Sequence, residues 1–133
     1  MSNVSSFSFD ADSSNQLLGF VLSRGSRALV EYISHKAADY NAASLTARNF
    51  HDSVAVTSED HVSKYIGPFT ADERIDITGY SVRDPHGNIK RPSSNIRVKS
   101  ETKEAAVIGF DDWGNDGDFD DIVLRITKQQ PPF

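Results

Sequence analysis

Residues 109–126 read GFDDWGNDGDFDDIVLRI, and the rest of the chain is organised around this stretch. Its first thirteen residues contain six aspartates, which are Asp111, Asp112, Asp116, Asp118, Asp120 and Asp121. An apolar run rich in β-branched residues follows directly at 122–126. Two carboxylates about 4–5 Å apart repel each other by roughly 1 kcal/mol in water and by several times that near a protein surface. We therefore expect a folded loop of this composition to require a bound cation.

The ligand chemistry of this loop favours calcium. Carboxylate oxygens are hard ligands, and calcium accepts roughly six to eight of them in flexible geometry, whereas magnesium requires a stricter octahedron and retains its waters. The chain has no cysteine, and no histidine lies in this loop, which disfavours zinc and other soft-ligand metals. We interpret the six aspartates as a calcium site for more than one ion, at the end of a β-sheet.

A solvated turn and an EF-hand are the alternatives to this interpretation. Asp, Gly and Asn dominate turns for conformational reasons, but six acids in one loop exceed what a turn needs. An EF-hand that started at Asp116 would have Asp121 where a sharp-turn glycine is required, and Thr127 where a bidentate Glu is required. Since the flanking residues are typical of strands rather than helices, the EF-hand is disfavoured.

The run Gly-Phe-Asp-Asp, a short spacer, Asp-Gly-Asp-Phe-Asp-Asp and an apolar strand resembles the metal loop of the calcium-mediated sugar-binding lectins of bacteria. It is equally similar to an Asp-rich domain of unknown function in bacterial secreted and surface proteins. On the lectin pattern, Asp111 matches the leading acid, and calcium ligands match Asp116, Asp118 and Asp121. Asp120 stands where those lectins have an Asn that binds both metal and sugar. The resemblance implies bound calcium and a sugar at this loop, and it covers under a fifth of the chain.

A weaker match lies near the start of the chain. Residues 19–26, GFVLSRGS, fall where the lectins carry an aromatic strand that ends in Asn-Ser-Ser-Gly. In the lectins that Asn ligates calcium and the small residues contact sugar, whereas here Leu22 replaces the Asn and Arg24 replaces a Ser. Trp113 offers an apolar platform for a sugar face, with plain loop packing as its alternative role. The candidate sugar contacts are therefore Asp118, Asp120, Ser23, Arg24 and Trp113.

Length and composition describe one globular domain. The chain has 133 residues, of which 38% are hydrophobic, enough to bury a core without disulfides. No apolar run approaches the length of a membrane span, so we expect no membrane insertion. Residues 1–6 lack the pattern of a secretory signal. We expect a protein that begins in the cytoplasm, leaves by an unconventional route, or is shown without its leader.

The charge distribution argues against nucleic acid and against catalysis. The net charge is −5 and the six loop aspartates supply −6, so the remainder sums to about +1 and forms no basic stripe. The four histidines are scattered, and no nucleophile elbow is present. Bound cations would hold the pKa values of the loop acids down, which is the wrong direction for the general acid of a glycosidase. We predict a binding protein and not an enzyme.

Alternating apolar and polar residues between closely spaced turns predict an all-β fold, an antiparallel β-sandwich of jelly-roll or Greek-key type. Residues 1–133 are predicted to form a single domain, with 128–133 as a loose tail. Strands are predicted at 6–9, 16–22, 27–34, 54–56, 73–82, 95–99, 104–110 and 121–127. Gly19 inside a strand indicates a bulge or a close backbone approach.

Two segments have less regular patterns. Residues 35–51 are rich in alanine, which favours a helix, but their apolar residues do not form a helical stripe. We favour a strand followed by a loop there. Residues 57–60 have the composition of a helix cap, which allows one short helix near 58–66 that ends before Gly67-Pro68.

Two functions remain open from the sequence. In the first, the protein is a calcium-dependent carbohydrate-binding module that recognises a sugar or glycoconjugate, and a homo-oligomer would accompany multivalent binding. In the second, calcium only stabilises the fold, and the protein acts through its surface in adhesion or assembly.

The calcium hypothesis has a direct thermodynamic test. Calcium that binds the folded chain alone should raise the free energy of unfolding by about 2.7 kcal/mol at a hundredfold excess over its dissociation constant. Titration calorimetry should show calcium uptake, and the melting temperature should rise with calcium and fall again with EDTA, with magnesium as the comparison. Absence of calcium uptake at millimolar concentration, together with melting that is indifferent to EDTA, would contradict the prediction.

Overall fold

A computed structural model describes residues 9–11, 17–34, 40–57, 63–82, 90–92, 95–111 and 122–133. These residues form two antiparallel β-sheets, and none of them lies in a helix. The described part of the chain accordingly has no helix that is long and apolar enough to cross a membrane. The all-β antiparallel sandwich predicted from the sequence is confirmed.

Six of the described strands form the first sheet. Their bounds are β1 Asp10–Ala11, β2 Leu18–Leu22, β4 Tyr40–Ala47, β5 Ser53–Thr57, β7 Glu73–Val82 and β8 Lys90–Pro92. The spatial order is β1-β2-β7-β4-β5. Strand β8 pairs with the last part of β7, beyond the residues that pair with β2.

Five strands form the second sheet. Their bounds are β3 Arg27–Ser34, β6 Lys64–Ile66, β9 Asn95–Glu101, β10 Ala105–Asp111 and β11 Ile122–Gln129. The spatial order is β6-β3-β11-β10-β9, so β11 lies at the centre of the sheet. The last three strands pair as consecutive antiparallel neighbours, whereas the chain crosses between the sheets five times before them.

The core lies between the inner faces of the two sheets. Because successive side chains of a strand point to opposite faces, every second residue is buried in β7 from Glu73 to Gly79 and in β11 from Ile122 to Lys128. Each fully buried large apolar side chain contributes roughly 1.5–3 kcal/mol relative to its exposed state. The largest such side chains are Phe20, Leu22, Leu45, Ile66, Ile75, Ile77, Ile108, Phe110, Ile122, Leu124 and Ile126.

Most strand predictions are close to the observed bounds. Strands β3 and β7 have the predicted residues, and β2, β10 and β11 are displaced at their ends by one or two. The alanine-rich segment contains β4, which confirms a strand rather than a helix at 40–47. Ala43 and Ala47 are buried in the core, so packing outweighs the helix propensity of alanine. The predicted strand at 6–9 lies outside the described residues except for Phe9.

Two boundary predictions are corrected. The predicted short helix is wrong at residues 64–66, because these residues form β6 and pair with β3, with Ala28 opposite Ile66. Burial of Ile66 in the core favours the strand there, and residues 58–62 lie outside the described part. Two residues of the tail predicted at 128–133 are not loose, since Lys128 and Gln129 belong to β11 and pair with β3.

Gly19 permits the close approach that the sequence indicated. The guanidinium of Arg74 lies so near that a Cβ at Gly19 would overlap it. From this position Arg74 reaches Asp10 at 2.6 Å and Asp76 at 3.4 Å. Arg48 also contacts Asp76, at 3.0 Å. The pairing of β2 with β1 and with β7 shows no register shift, so the bulge predicted at Gly19 is wrong. The alternative, a close approach to the Gly19 backbone, is confirmed, and the approaching group is the Arg74 side chain.

Glu73 is a fully buried carboxylate that holds the turn between β4 and β5. It accepts hydrogen bonds from the backbone N–H groups of Asn49, Phe50 and Arg74 at 2.8–2.9 Å, and from the Asn49 amide at 3.0 Å. Burial by itself would raise the pKa of Glu73, but these hydrogen bonds outweigh it and lower the pKa below its ordinary value. The charged form is therefore the one that stabilises the fold.

The variant Glu73→Gln should lower the melting temperature by about 5 °C or more at pH 7, because an amide NH2 would then face backbone donors. Since the folded pKa is lowered, the stabilisation by the charge is present above the unfolded value of 4.5 and is lost as the pH falls below it. The difference between wild type and variant should therefore shrink toward pH 3. Thermal unfolding followed by circular dichroism measures both effects.

The exposed carboxylate of Glu104 provides the control, and Glu104→Gln should melt within about 1 °C of the wild type. Equal melting temperatures of wild type and Glu73→Gln at neutral pH would show that the hydrogen bonds to Glu73 contribute nothing.

Candidate functional site

The Asp-rich segment leaves the second sheet at Asp111 and re-enters it at Ile122. The last pair between β10 and β11 is Phe110 with Ile122, and Asp111 pairs with Asn95 of β9. Asp111 is fully buried, although it is a carboxylate. Buried carboxylates are stable only where hydrogen-bond donors or cations neutralise them. The strand pairing therefore holds this predicted ligand in a rigid position at one end of the sandwich.

The remaining predicted ligands lie outside the described residues. They are Asp112, Asp116, Asp118, Asp120 and Asp121, and the predicted sugar platform Trp113 lies outside as well. Within the described ranges, no group of three or more His, Asp or Glu side chains is arranged to hold a metal ion. The chemistry of the predicted donor set, with carboxylate oxygens alone, suits a hard cation. Calcium at this end stays a prediction.

The turn that carries Ser23 and Arg24 lies at the opposite end of the sandwich. It directly precedes β3, whose first residue Arg27 pairs with Gln129, the last residue of β11. The Asp-rich segment instead joins the first residue of β11. The eight residues of β11 span about 23 Å from end to end.

This distance separates Ser23 and Arg24 from Asp111, the one predicted calcium ligand that the structure describes. The other residues predicted to contact the same sugar, Asp118, Asp120 and Trp113, lie outside the described residues, so a shared sugar contact stays a prediction. The physical reason is the antiparallel register of β3 and β11, which brings the start of β3 beside the end of β11. Sequence comparison aligns strands but does not specify which turns share an end of the sheet.

The turn at 23–26 is held against the loop between β6 and β7. The backbone N–H of Arg24 donates to Asp72 at 2.8 Å, and the N–H of Gly25 donates to the Phe69 carbonyl at 2.9 Å. Gly25 has φ of 79°, a left-handed conformation that side chains disfavour. The ring of Phe69 stacks on Phe50 with centroids 5.0 Å apart. Both loops are therefore fixed relative to each other.

A groove of about 550 Å³ lies between these two loops and the C-terminal residues. Its walls are mainly apolar, since they contain two phenylalanine rings and two prolines. Five of its lining residues are exposed, so the groove opens to solvent. The lining residues are Arg24, Gly25, Pro68, Phe69, Thr70, Pro131 and Phe133.

The guanidinium of Arg27 holds Phe133 at the edge of this groove. Its central carbon lies 4.0 Å from the Phe133 ring centroid and 4.1 Å from that of Tyr65, a double cation–π contact. Its Nε donates to the side-chain oxygen of Gln129 at 2.9 Å. Phe133 nevertheless keeps 54% of its surface exposed. The predicted tail therefore presents a fixed aromatic ring to solvent.

A second groove, of about 530 Å³, lies on the other side of Phe133. Lys128, whose side chain is buried, lines it together with Arg27 and Glu104. Burial lowers the pKa of Lys128, and the nearby charge of Glu101 opposes this shift. Each groove beside Phe133 thus has a basic side chain in its wall.

The sequence signal for this site was the apolar end Pro-Pro-Phe, but the position of Arg27 beneath it follows only from the fold.

Two solved structures of bacterial lectins have a similar fold. One is the Chromobacterium violaceum lectin CV2L in complex with α-methyl-fucoside, with a TM-score of 0.53 and 16% identity. The other is a high-affinity mannose-binding lectin of Ralstonia solanacearum, with a TM-score of 0.51 and 16% identity. Each comparison covers 84% of this chain and 96% of the lectin. At this identity the similarity concerns the fold.

No protein-family model matches the chain, and a search of curated proteins finds no match. Over most of the chain, the similarity to known proteins is therefore one of fold.

The separation of the two ends predicts independent behaviour of their side chains. Arg24→Ala should change the calcium dissociation constant by less than about twofold, because unit charges roughly 20 Å apart in water interact by only about 0.2 kcal/mol before salt screening. Asp111→Asn should weaken calcium binding by about tenfold or more, because it removes a ligand charge. Calorimetric titration of both folded variants tests this; a large effect of Arg24→Ala on calcium affinity would contradict the separation.

Proposed function

We propose that this protein is a calcium-dependent carbohydrate-binding module of the lectin type. The observation that carries the proposal is the shared fold: proteins described as lectins, one solved with α-methyl-fucoside and one named for mannose binding, have this fold over 84% of the chain. The Asp-rich segment adds the second support, because its residue pattern resembles the metal loop of calcium-mediated bacterial lectins.

The proposed calcium ligands are the six loop aspartates, with Asp118 and Asp120 also contacting the sugar and Trp113 as an apolar platform. Calcium bound there would offer coordination positions that vicinal sugar hydroxyls take in place of water. The part of the chain that supports this arrangement is the pairing of β10 with β11, which fixes both ends of the segment. Asp111, buried at the end of β10, is the one of the six that the structure describes.

The proposed activity is binding and not catalysis. Carboxylates that surround a cation stay ionised, so none of them would serve as a general acid at neutral pH. The proposed partner is a sugar or glycoconjugate. Self-association of the protein would raise avidity for a multivalent glycan without any new contact to the sugar.

A glycan array probed with calcium and again with EDTA tests this function. Sugar binding should appear with calcium, disappear with EDTA, and be lost in Asp111→Asn. Arg125→Gln is the matched control, because Arg125 is exposed on the outer face of the second sheet and pairs there with Glu31 at 3.0 Å.

Linkage provides an independent check, because a sugar that binds through calcium must tighten calcium binding by the same factor by which calcium tightens sugar binding. A calcium-binding protein with a blank array would favour the structural or adhesion role instead. Release of cleaved sugar would overturn the proposed absence of catalysis.

A further inference from the structure

Arg24 has a guanidinium that the fold leaves available. Its backbone N–H is held by Asp72, and the side chain is exposed at the rim of the groove. No described side chain pairs with this guanidinium, whereas those of Arg48, Arg74 and Arg125 all form ion pairs. A guanidinium on a fixed backbone is a ready partner for a carboxylate, which it binds through two parallel hydrogen bonds.

The wall of the same groove offers a flat apolar surface. One face of Phe133 covers the Arg27 guanidinium, and the ring keeps 54% exposure. Phe69 forms another wall and is supported from behind by Phe50. An exposed aromatic face of this kind packs against the apolar C–H face of a sugar ring. Because the supporting contacts exist before a ligand arrives, binding does not have to order these rings.

We propose that this groove is a second, calcium-independent binding site that recognises an acidic sugar, a hexuronate residue of a glycan. The carboxylate of the sugar lies at the Arg24 guanidinium, and the apolar face of the ring packs on Phe133. Thr70 at the rim offers a hydroxyl to the ring oxygens. The site goes beyond the proposed calcium-dependent function and does not depend on it.

The chemistry of the groove favours this ligand class over its alternatives. A neutral sugar would leave the charge of Arg24 without a partner, and a simple inorganic anion would not use the aromatic wall. A purely apolar ligand would need a deeper site, because most of the residues at this rim are exposed. The same exposure lets those sugar hydroxyls that do not contact the protein stay hydrated.

The charge of the groove favours the same assignment. Arg24 carries the one charged side chain among the residues that line this groove, and it attracts an anionic sugar. The acidic side chains of Asp72, which holds the Arg24 backbone, and of Glu104, in the second groove, do not line it.

The test is a titration of the full ¹⁵N-labelled chain with glucuronate, followed by NMR with EDTA present throughout. The amides of residues 23–26, of Gly67 and of residues 69–72 should shift in a saturable way, and glucose should bind at least about tenfold more weakly than glucuronate. Arg24→Gln should weaken glucuronate binding by about tenfold or more, with partial recovery in Arg24→Lys. Phe133→Ala should weaken it severalfold while leaving the fold intact, because the ring is exposed.

Lys103→Gln is the matched control, since it removes an exposed positive charge at the same end of the sandwich without touching the groove. Its affinity for glucuronate should equal that of the wild type. No saturable shift at these amides, or equal binding by the wild type and Arg24→Gln, would overturn the proposal.

Two further ligands show whether the groove recognises the sugar ring or only a negatively charged group. Benzoate that binds as tightly as glucuronate would show a site for apolar carboxylates rather than for sugars, and inorganic phosphate that binds equally well would show a simple anion site; either result would overturn the sugar assignment. Because EDTA removes calcium, a negative glucuronate titration does not bear on the calcium-dependent binding to the glycan array. A blank array likewise does not bear on the result of the titration.

Discussion

The register in which β11 pairs with its neighbours sets both the core and the arrangement of the connections at the two ends of the sandwich. Its inner residues Ile122, Leu124 and Ile126 are fully buried at the centre of the second sheet. A slip of one residue would turn all three outward, so burial of the core specifies the register strongly. The same register determines which connections share an end of the sandwich. It brings the start of β3 beside the end of β11, and it leaves the Asp-rich segment at the other end.

The two ends that result have different chemistry. At one end the acidic segment is attached to a rigid pair of strands through the buried Asp111. At the other, Arg24 and Arg27 lie among exposed aromatic rings, and Lys128 is buried close by. Arg24 lies about 20 Å from Asp111, so salt-screened charge interactions between the two are weak. The two proposed sites would therefore bind their ligands without a large effect on each other.

A buried charge supports the basic and aromatic end. Glu73 faces the interior and binds the backbone of the turn after β4, while its neighbour Arg74 faces outward and covers Gly19. The turn that Glu73 holds carries Phe50, and Phe50 stacks on the groove residue Phe69. The rigidity of the groove therefore depends on a carboxylate that does not line it. Because side chains alternate between the two faces of β7, Glu73 holds a turn from the interior while the adjacent Arg74 forms ion pairs on the outer face.

The fold class and most strands are predictable from sequence alone, because period-two alternation is a local property that burial enforces, as in β3 and β7. The acidic segment is equally evident, since charge repulsion follows from composition. Three features follow only from the fold: β6 in place of a helix at 64–66, the extension of β11 through Lys128 and Gln129, and the separation of Arg24 from Asp111. The alanines of β4 became strand residues for the same reason, since they pack in the core. Pairing between distant segments sets these features, and no local pattern encodes which strand lies beside which.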